Sequence, residues 1–261
     1  MSEPAKVDYD QVASNYNQRF EAGEYPVPLQ ALAELAGRIG ARRVLELGCG
    51  TGRSLLRRGP NAAAPLITVG LDFSEGMLQL AKQARPDAPF VRAGAQQPPF
   101  ASDSFDLVYS HLAFHHFPNK RHVAKEAFRL LRPGGAFAVV TDDPRESDWY
   151  LYDYFEGARE IDLERCPSKR EIEEMLSHAG FSNVESPVVD DLDHVDLGDD
   201  VLTSYFIRKD SVSTLILLPQ GAYDAGLARI HAELATAAAR GGRLEFRSHL
   251  QIRMVYGFKP A

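Results

Sequence analysis

Cysteine is scarce in this chain. Cys49 and Cys166 are the only two among 261 residues, too few for a disulfide framework and suited to a reducing compartment. An excess of basic charge is also missing: 29 Lys and Arg stand against 36 Asp and Glu, for a formal net charge of -7. No overall positive field is there to hold a polyanion, so a nucleic-acid partner is disfavoured. No apolar run approaches the roughly 18 residues that cross a bilayer. Met1-Ser2-Glu3-Pro4 carries no basic-then-apolar leader. Repeats, low-complexity tracts and Pro/Gly/Ser-rich linkers are absent too. The expectation is a cytoplasmic protein without membrane association. What is present, 44% apolar and 25% charged residues, is enough to bury a sizeable core.

The apolar residues alternate between two periods. Leu29, Leu32, Leu35, Ala36 and Ile39 recur at helical spacing before Gly40. Continuous apolar runs follow at 43–47, 66–71, 90–92, 105–109 and 136–140. Between them the pattern predicts helices from Ser74 to Arg85 and from Asn119 to Leu131. Buried strands alternating with amphipathic helices predict an α/β fold, a parallel sheet with helices on both faces. Later, Ser168-x-x-Glu171 is a capping box opening a helix that ends at Gly180, followed by a strand over 181–189. Helices are expected over 149–163 and 223–240, and a final strand over 244–258. The organisation expected is a single domain, 1–261, with a core of about 27–142, 168–190 and 244–261. Insertions at about 143–167 and 191–243 form a mainly helical cap over the carboxyl edge of the sheet, where open α/β folds bind ligands.

The most informative stretch is Val44-Leu45-Glu46-Leu47-Gly48-Cys49-Gly50-Thr51-Gly52. Glycines after a buried strand allow a sharp turn and a close ligand approach, and a helix behind them would offer unpaired N–H groups. The second strand ends in Asp72, and 72 − 52 = 20 residues after the last glycine is where an acid accepts ribose hydroxyls. An adenosine-containing ligand follows. The spacing is G-x-G-x-G, with Arg53 where the dinucleotide fingerprint requires glycine, and no P-loop Gly-Lys-Ser/Thr is present. A carboxylate at Glu46 repels a pyrophosphate and would attract an ammonium, directly or through water. The ligand should therefore carry adenosine and an amino-acid-like cation rather than phosphates.

On these residues the sequence resembles the class I S-adenosylmethionine-dependent methyltransferases, in particular the UbiE-like small-molecule group. Residues 44–52 read as the family's first motif, and Gly70-Leu71-Asp72-Phe73-Ser74-x-x-Met77-Leu78 as its second. Ser104-Phe105-Asp106-Leu107-Val108 resembles its fourth-strand motif, and Leu131-Arg132-Pro133-Gly134-Gly135 the turn before strand five. Tyr9-x-x-x-Ala13-x-x-Tyr16-Asn17 resembles the N-terminal segment that folds over the cofactor. The resemblance implies a Rossmann-like, doubly wound, seven-stranded sheet with strands one to six parallel and the last antiparallel. It implies S-adenosylmethionine as cofactor and S-adenosylhomocysteine as product. Gly48, Cys49, Gly50 and Gly52 would face the methionine part, Asp72 the ribose, and Phe73 and Met77 the adenine. Tyr16 and Ser110 would also lie on the cofactor side. Where the family often places an acid for the adenine amino group, this chain has Gly94, leaving the Ala95 backbone and Gln96 to read the base.

Methyl transfer is an in-line displacement, and a phenol, alcohol or acidic carbon gains from a general base. Candidates are His115 and His116 just past strand four, with Asp142 or Asp143 after strand five as the histidine's partner. The competing readings are a helix-capping histidine and a strand-ending aspartate. No Cys or His set has metal-ligand spacing, so no metal is expected. Arg159, Arg208 and Lys209 read as solvated charges ahead of receivers of a substrate carboxylate, and the aromatics at 149–155 as a packing face ahead of the lining of an apolar substrate pocket. The expected reaction moves a methyl group to an O, N or C atom of a small organic molecule. A macromolecular acceptor, protein or tRNA, and a non-methylating member of the fold remain as alternatives. Oligomeric state is not readable.

Overall fold

The structure is a computed structural model that describes residues 7–17, 29–57 and 66–261, the side chain of Ser14 excepted. Five strands, β1 (Arg43–Leu47), β2 (Ile67–Asp72), β3 (Phe90–Arg92), β4 (Phe105–His111) and β5 (Leu131–Asp142), pair in parallel in the order β3-β2-β1-β4-β5. Val44 to Leu47 are all buried, as a strand covered on both faces requires. Helix α1 (Tyr9–Tyr16) lies against α3 (Glu75–Ala84); α2 (Gln30–Arg38) buries Leu32, Leu35 and Ala36 on one sheet face. Ser74 caps α3, its hydroxyl accepting the Met77 N–H at 3.1 Å. On the other face, α4 (Lys120–Leu130) buries Val123, Ala124, Ala127 and Leu130.

The strand count is nine among the described residues rather than the expected seven. The expected sixth strand is two pieces, β7 (Ser182–Glu185) and β8 (Val188–Leu197), divided at Pro187, which has no N–H to donate. Both pair antiparallel with β9 (Glu245–Phe258), which is itself antiparallel to β5, so both run in the direction of β5. The ninth strand is β6 (Asp148–Trp149), two residues long, also antiparallel to β9.

The cap is not built from helices alone. β9 pairs with β5 only from Ile252 onward; Glu245 to Gln251 run past the carboxyl edge as a ribbon with β8. Seven such residues extend about 20 Å. β8 therefore crosses residue 190, where the Asp-rich sequence reads as the start of an insertion. Its aspartates are matched across the ribbon, Arg247 to Asp193 at 2.6 Å and His249 to Asp191 at 2.7 Å. On this ribbon pack α5 (Tyr150–Tyr154), α6 (Ala158–Arg165), α8 (Ser213–Leu217) and α9 (Gln220–Ala239), around Leu151, Phe155, Ile207, Leu215, Ile230 and Phe246. The helix expected over 149–163 breaks at Gly157, whose φ of +87° is left-handed. Helix α7 (Lys169–Ala179) returns the chain to the core behind the expected Ser168–Glu171 capping box.

Candidate active site

At the carboxyl edge of the sheet, the turn after β1 depends on glycine. Gly48 has φ +74°, and a Cβ there would stand 2.7 Å from the Cβ of Ala113. The N–H groups of Gly48 and Cys49 both donate to the Leu71 carbonyl, at 2.8 and 3.0 Å, which ties the turn to β2. The helix expected behind the glycines is not there: residues 51–57 form turns and open chain. Left-handed φ values at Gly50 (+51°) and Gly52 (+73°) interrupt any right-handed helix.

Asp72 joins the two halves of this edge. One carboxyl oxygen accepts the Gly50 N–H at 2.8 Å, and the other accepts the Ser74 N–H at 2.9 Å. Burial raises its pKa and these N–H groups oppose the rise. Beside it, Phe73 is 75% exposed while Met77 is buried. Among the described residues nothing lies within 4 Å of where a Cβ on Gly50 would stand. An open apolar ring, an acid with lone pairs to share and a glycine backbone fit an adenosine carrying an amino-acid tail. At the adenine end, Ala95 is buried and the Gln96 amide donates to the Pro118 carbonyl at 2.9 Å. The Gln96 Oε1 stands 3.2 Å from where a Cβ on Gly94 would be. An amide oxygen thus lies beside the position the usual acid would occupy.

Glu46 corrects an expectation. Its carboxyl is fully enclosed and accepts from the Ser54 hydroxyl, with the Tyr109 hydroxyl 3.0 Å away. It therefore faces the protein interior rather than a ligand ammonium. Tyr109 Oη also lies 2.7 Å from the Ser54 carbonyl and accepts the Leu56 N–H at 3.1 Å. Burial pushes the Glu46 pKa up to about 8, against an ordinary 4.5. The carboxyl is thus protonated at neutral pH and can donate to a hydroxyl. Because the folded state holds this proton more tightly than the unfolded chain, the stability it confers is complete below pH 4.5. That stability is lost as pH rises through 8. Glu46→Gln keeps a hydrogen-bonding amide and removes the titration. Thermal melts should show the variant more stable at pH 7, by about 3 kcal/mol at most, and flat in the window where the parent declines. Parallel pH profiles would contradict this.

Facing the loop, β4 ends in Ser110 and His111, and a short 3-10 turn carries Phe114–His116. The hydroxyl of Ser110 and Nε2 of His111 are buried without partners, and burial lowers His111 to about 4. The rings of His115 and His116 lie 4.0 Å apart. Nδ1 of His115 is likewise buried without a partner. Burial first, then the neighbouring His116, Arg165 and Lys120, hold His115 well below its ordinary pKa, so it is neutral at pH 7. Nε2 of His116 pairs with the Tyr9 hydroxyl at 2.6 Å. The histidine–Asp142 pairing expected from sequence is thus replaced. Asp143 has a structural task, pairing with Arg145 at 3.0 Å. Asp142 itself, at the end of β5, is raised to about 6, mainly by burial and then by Asp162.

Tyr9 belongs to α1, which is held over this edge at several points. Asp10 accepts from the Ser74 hydroxyl at 2.6 Å and the Gly76 N–H at 2.8 Å. Asn17 accepts from Thr51 at 2.9 Å, and Asn15 donates to Asp210 of the cap at 3.2 Å. The Tyr16 ring stands edge-on to Tyr9, centroids 6.0 Å apart. In the cap, Trp149, Tyr150 and Phe155 are packed in its core. Lys209 donates to the carbonyls of Ile216 and Leu218 at 3.0 and 2.9 Å, and Arg208 pairs with Asp210. Two further cations, Lys120 and Arg165, act electrostatically on the His115 ring, and no motif marks them. Among the described residues no group of His, Cys, Asp and Glu is arranged to hold a metal ion, and no helix is long and apolar enough to cross a membrane.

Comparison with known proteins agrees with this edge. A family profile described as a methyltransferase domain matches residues 45–139. An uncharacterized methyltransferase of Synechocystis is 32% identical over 165 residues, covering 61% of this chain and 74% of that protein. A demethylmenaquinone methyltransferase of Renibacterium salmoninarum is 34% identical over 135 residues, 51% of this chain and 56% of that protein. The chain thus spans little more than half the length of the latter relative. Among solved structures, a Haemonchus contortus phosphoethanolamine N-methyltransferase in complex with S-adenosylmethionine superposes with a TM-score of 0.58 at 21% identity. That match covers 97% of this chain and 57% of that one. The chain belongs to the class I S-adenosylmethionine-dependent methyltransferases, and its cofactor is the one that family uses.

Proposed function

We propose that the chain transfers a methyl group from S-adenosylmethionine to an O, N or C nucleophile of a small organic molecule enclosed between α1, the sheet edge and the cap. The observation carrying this reading is that the Gly48–Gly52 loop and Asp72 open onto the same edge as His115, His116 and Asp142. Bound there, the cofactor supplies an electrophilic methyl carbon on a sulfonium. In this reading Asp72 accepts the ribose hydroxyls, Phe73 and Met77 pack on the adenine, and Ala95 and the Gln96 amide oxygen read its edge. The backbone of Gly48, Cys49, Gly50 and Gly52 receives the methionine part, with Ser110 and Tyr16 beside it. Glu46 supports the loop from behind.

Asp142 is the general base of this proposal. A carboxyl near pKa 6 is ionised at neutral pH and still basic enough to take a proton from a phenol, an acidic alcohol or a carbon acid. His115, held far below 6.5, is too weak a base; its bare Nδ1 serves as a hydrogen-bonding partner. His116, fixed by Tyr9, positions the acceptor. The small-molecule assignment draws on the cap built over the sheet edge and on the demethylmenaquinone named for the Renibacterium relative. To test it, phenols, quinols, amines and hydroxy acids are incubated with protein and S-adenosylmethionine, and products are read by mass spectrometry. A methylated acceptor with matching S-adenosylhomocysteine is expected. Tight cofactor binding without turnover on any class would favour a macromolecular acceptor or a non-methylating role.

A further inference from the structure

Two cations at the proposed acceptor site have donors without acceptors. Lys120 opens α4 directly behind the histidine turn, and its ammonium donates to the Phe117 carbonyl at 3.1 Å. Among the described residues no carboxylate lies within ion-pairing distance of it; the side chain is half-buried, so its remaining N–H groups are open to water or to a ligand. Arg165 closes α6, its side chain 11% exposed. Its Nε and Nη2 go to Asp162 at 3.0 and 2.7 Å, and Nη2 also reaches Ser213 at 2.7 Å and Thr214 at 3.2 Å. Nη1 is buried with no partner at all. A guanidinium nitrogen left this way in a protein interior costs free energy that a ligand oxygen would recover.

These groups act on one another electrostatically. Arg165 and Lys120 both act on the His115 ring, Arg165 acts on Lys120, and Asp142 is close enough to feel Arg165. Asp162 is fully engaged, accepting from Tyr152 at 2.9 Å and from Thr214 as well as Arg165. It neutralises Arg165, and among the described residues Lys120 has no carboxylate in ion-pairing distance. Once Asp142 has taken a proton, Arg165, Lys120, Asp162 and Asp142 together carry one positive charge.

We propose that the methyl acceptor carries a carboxylate, bound by the ammonium of Lys120 and by Nη1 of Arg165. This rests on the acceptor site proposed above. A monoanion makes this group of charges neutral when Asp142 holds the acceptor's proton; a dianion such as a phosphate monoester would leave excess negative charge beside Asp142. The carboxylate's two oxygens match one donor from each cation. Arg165 and Lys120 act here as specificity determinants and take no part in bond making.

The test uses the full chain saturated with S-adenosylhomocysteine. Hydroxy- and amino-substituted benzoates and cinnamates are titrated, each against its neutral amide, by calorimetry. At least one acid should bind ten-fold or more tightly than its amide, and Lys120→Met should erase that ratio while S-adenosylhomocysteine affinity is kept. Lys120 stands at a helix start, so this variant should fold; Arg165→Gln, which also breaks the Asp162 pair, is the secondary variant. Equal binding of acids and amides, no binding of any acid, or a preference that survives Lys120→Met would overturn the inference and leave the cofactor reading intact. Failure of S-adenosylhomocysteine itself to bind would overturn both.

Discussion

Asp142→Asn should lower turnover by two to four orders of magnitude and at the same time make the protein more stable. The first effect is the usual worth of a general base. The second follows from the same burial. Asp142 stands near 6 in the folded protein against an ordinary 3.8. Its folded pKa is raised, so the stability attached to its proton is present below pH 3.8 and disappears as pH climbs through 6. At pH 7 the buried charge costs about 2–3 kcal/mol, which asparagine removes. The parent's kcat/KM should fall on the acid side with a midpoint near 6, and the variant's residual rate should lack that limb. A histidine base would behave differently. His115 would place the limb far lower, and Asp142→Asn would then leave its midpoint in place. Loss of activity with the limb retained would return Asp142 to a structural role. A large activity loss joined to a gain in melting temperature is hard to obtain from mere misfolding, so the two readouts together separate the cases.

Asp72→Ala should reduce S-adenosylmethionine affinity at least 30-fold. Two charge-assisted hydrogen bonds to ribose hydroxyls are lost, together worth about 2–4 kcal/mol. The N–H groups of Gly50 and Ser74, now held by the carboxylate at 2.8 and 2.9 Å, also lose their acceptor, and the loop loosens. Asp72→Asn separates these contributions. Its amide oxygen can keep one N–H and one hydroxyl, so calorimetry should place its affinity between parent and alanine. If both variants bind the cofactor as the parent does, the carboxylate serves only to tie the loop to α3.

What the sequence made legible is what local chemistry dictates. β1, the glycine turn, β2 and Asp72 form one continuous stretch, and buried strands with glycine at left-handed φ admit few other folds. Ser74, Asn119 and Ser168 marked their helix starts because a cap acts within a single turn. Legibility ended where partners come from far along the chain. Tyr9 meets His116 across 107 positions, and nothing near either residue announces it. No sequence motif marks Arg165, whose partners Asp162, Ser213 and Thr214 are brought to it by the packing of α6 and α8. Glu46 was misdirected for the same reason: its place two residues before the glycine suggested a ligand, but Tyr109 and Ser54 enclose it. The aspartates of β8 imitate a loop because their compensating Arg247 and His249 lie on the last strand. The helix expected after the glycines was a rule of the dinucleotide fold, and three left-handed residues among the five of 48–52 set it aside.

The most direct measurement is calorimetric titration of the purified protein with S-adenosylmethionine, S-adenosylhomocysteine and NAD⁺, with Asp72→Ala alongside. Micromolar binding of both sulfur compounds, weakened in the variant and absent for NAD⁺, is the result this account predicts. No binding of either sulfur compound, or binding of NAD⁺ in their place, would contradict it.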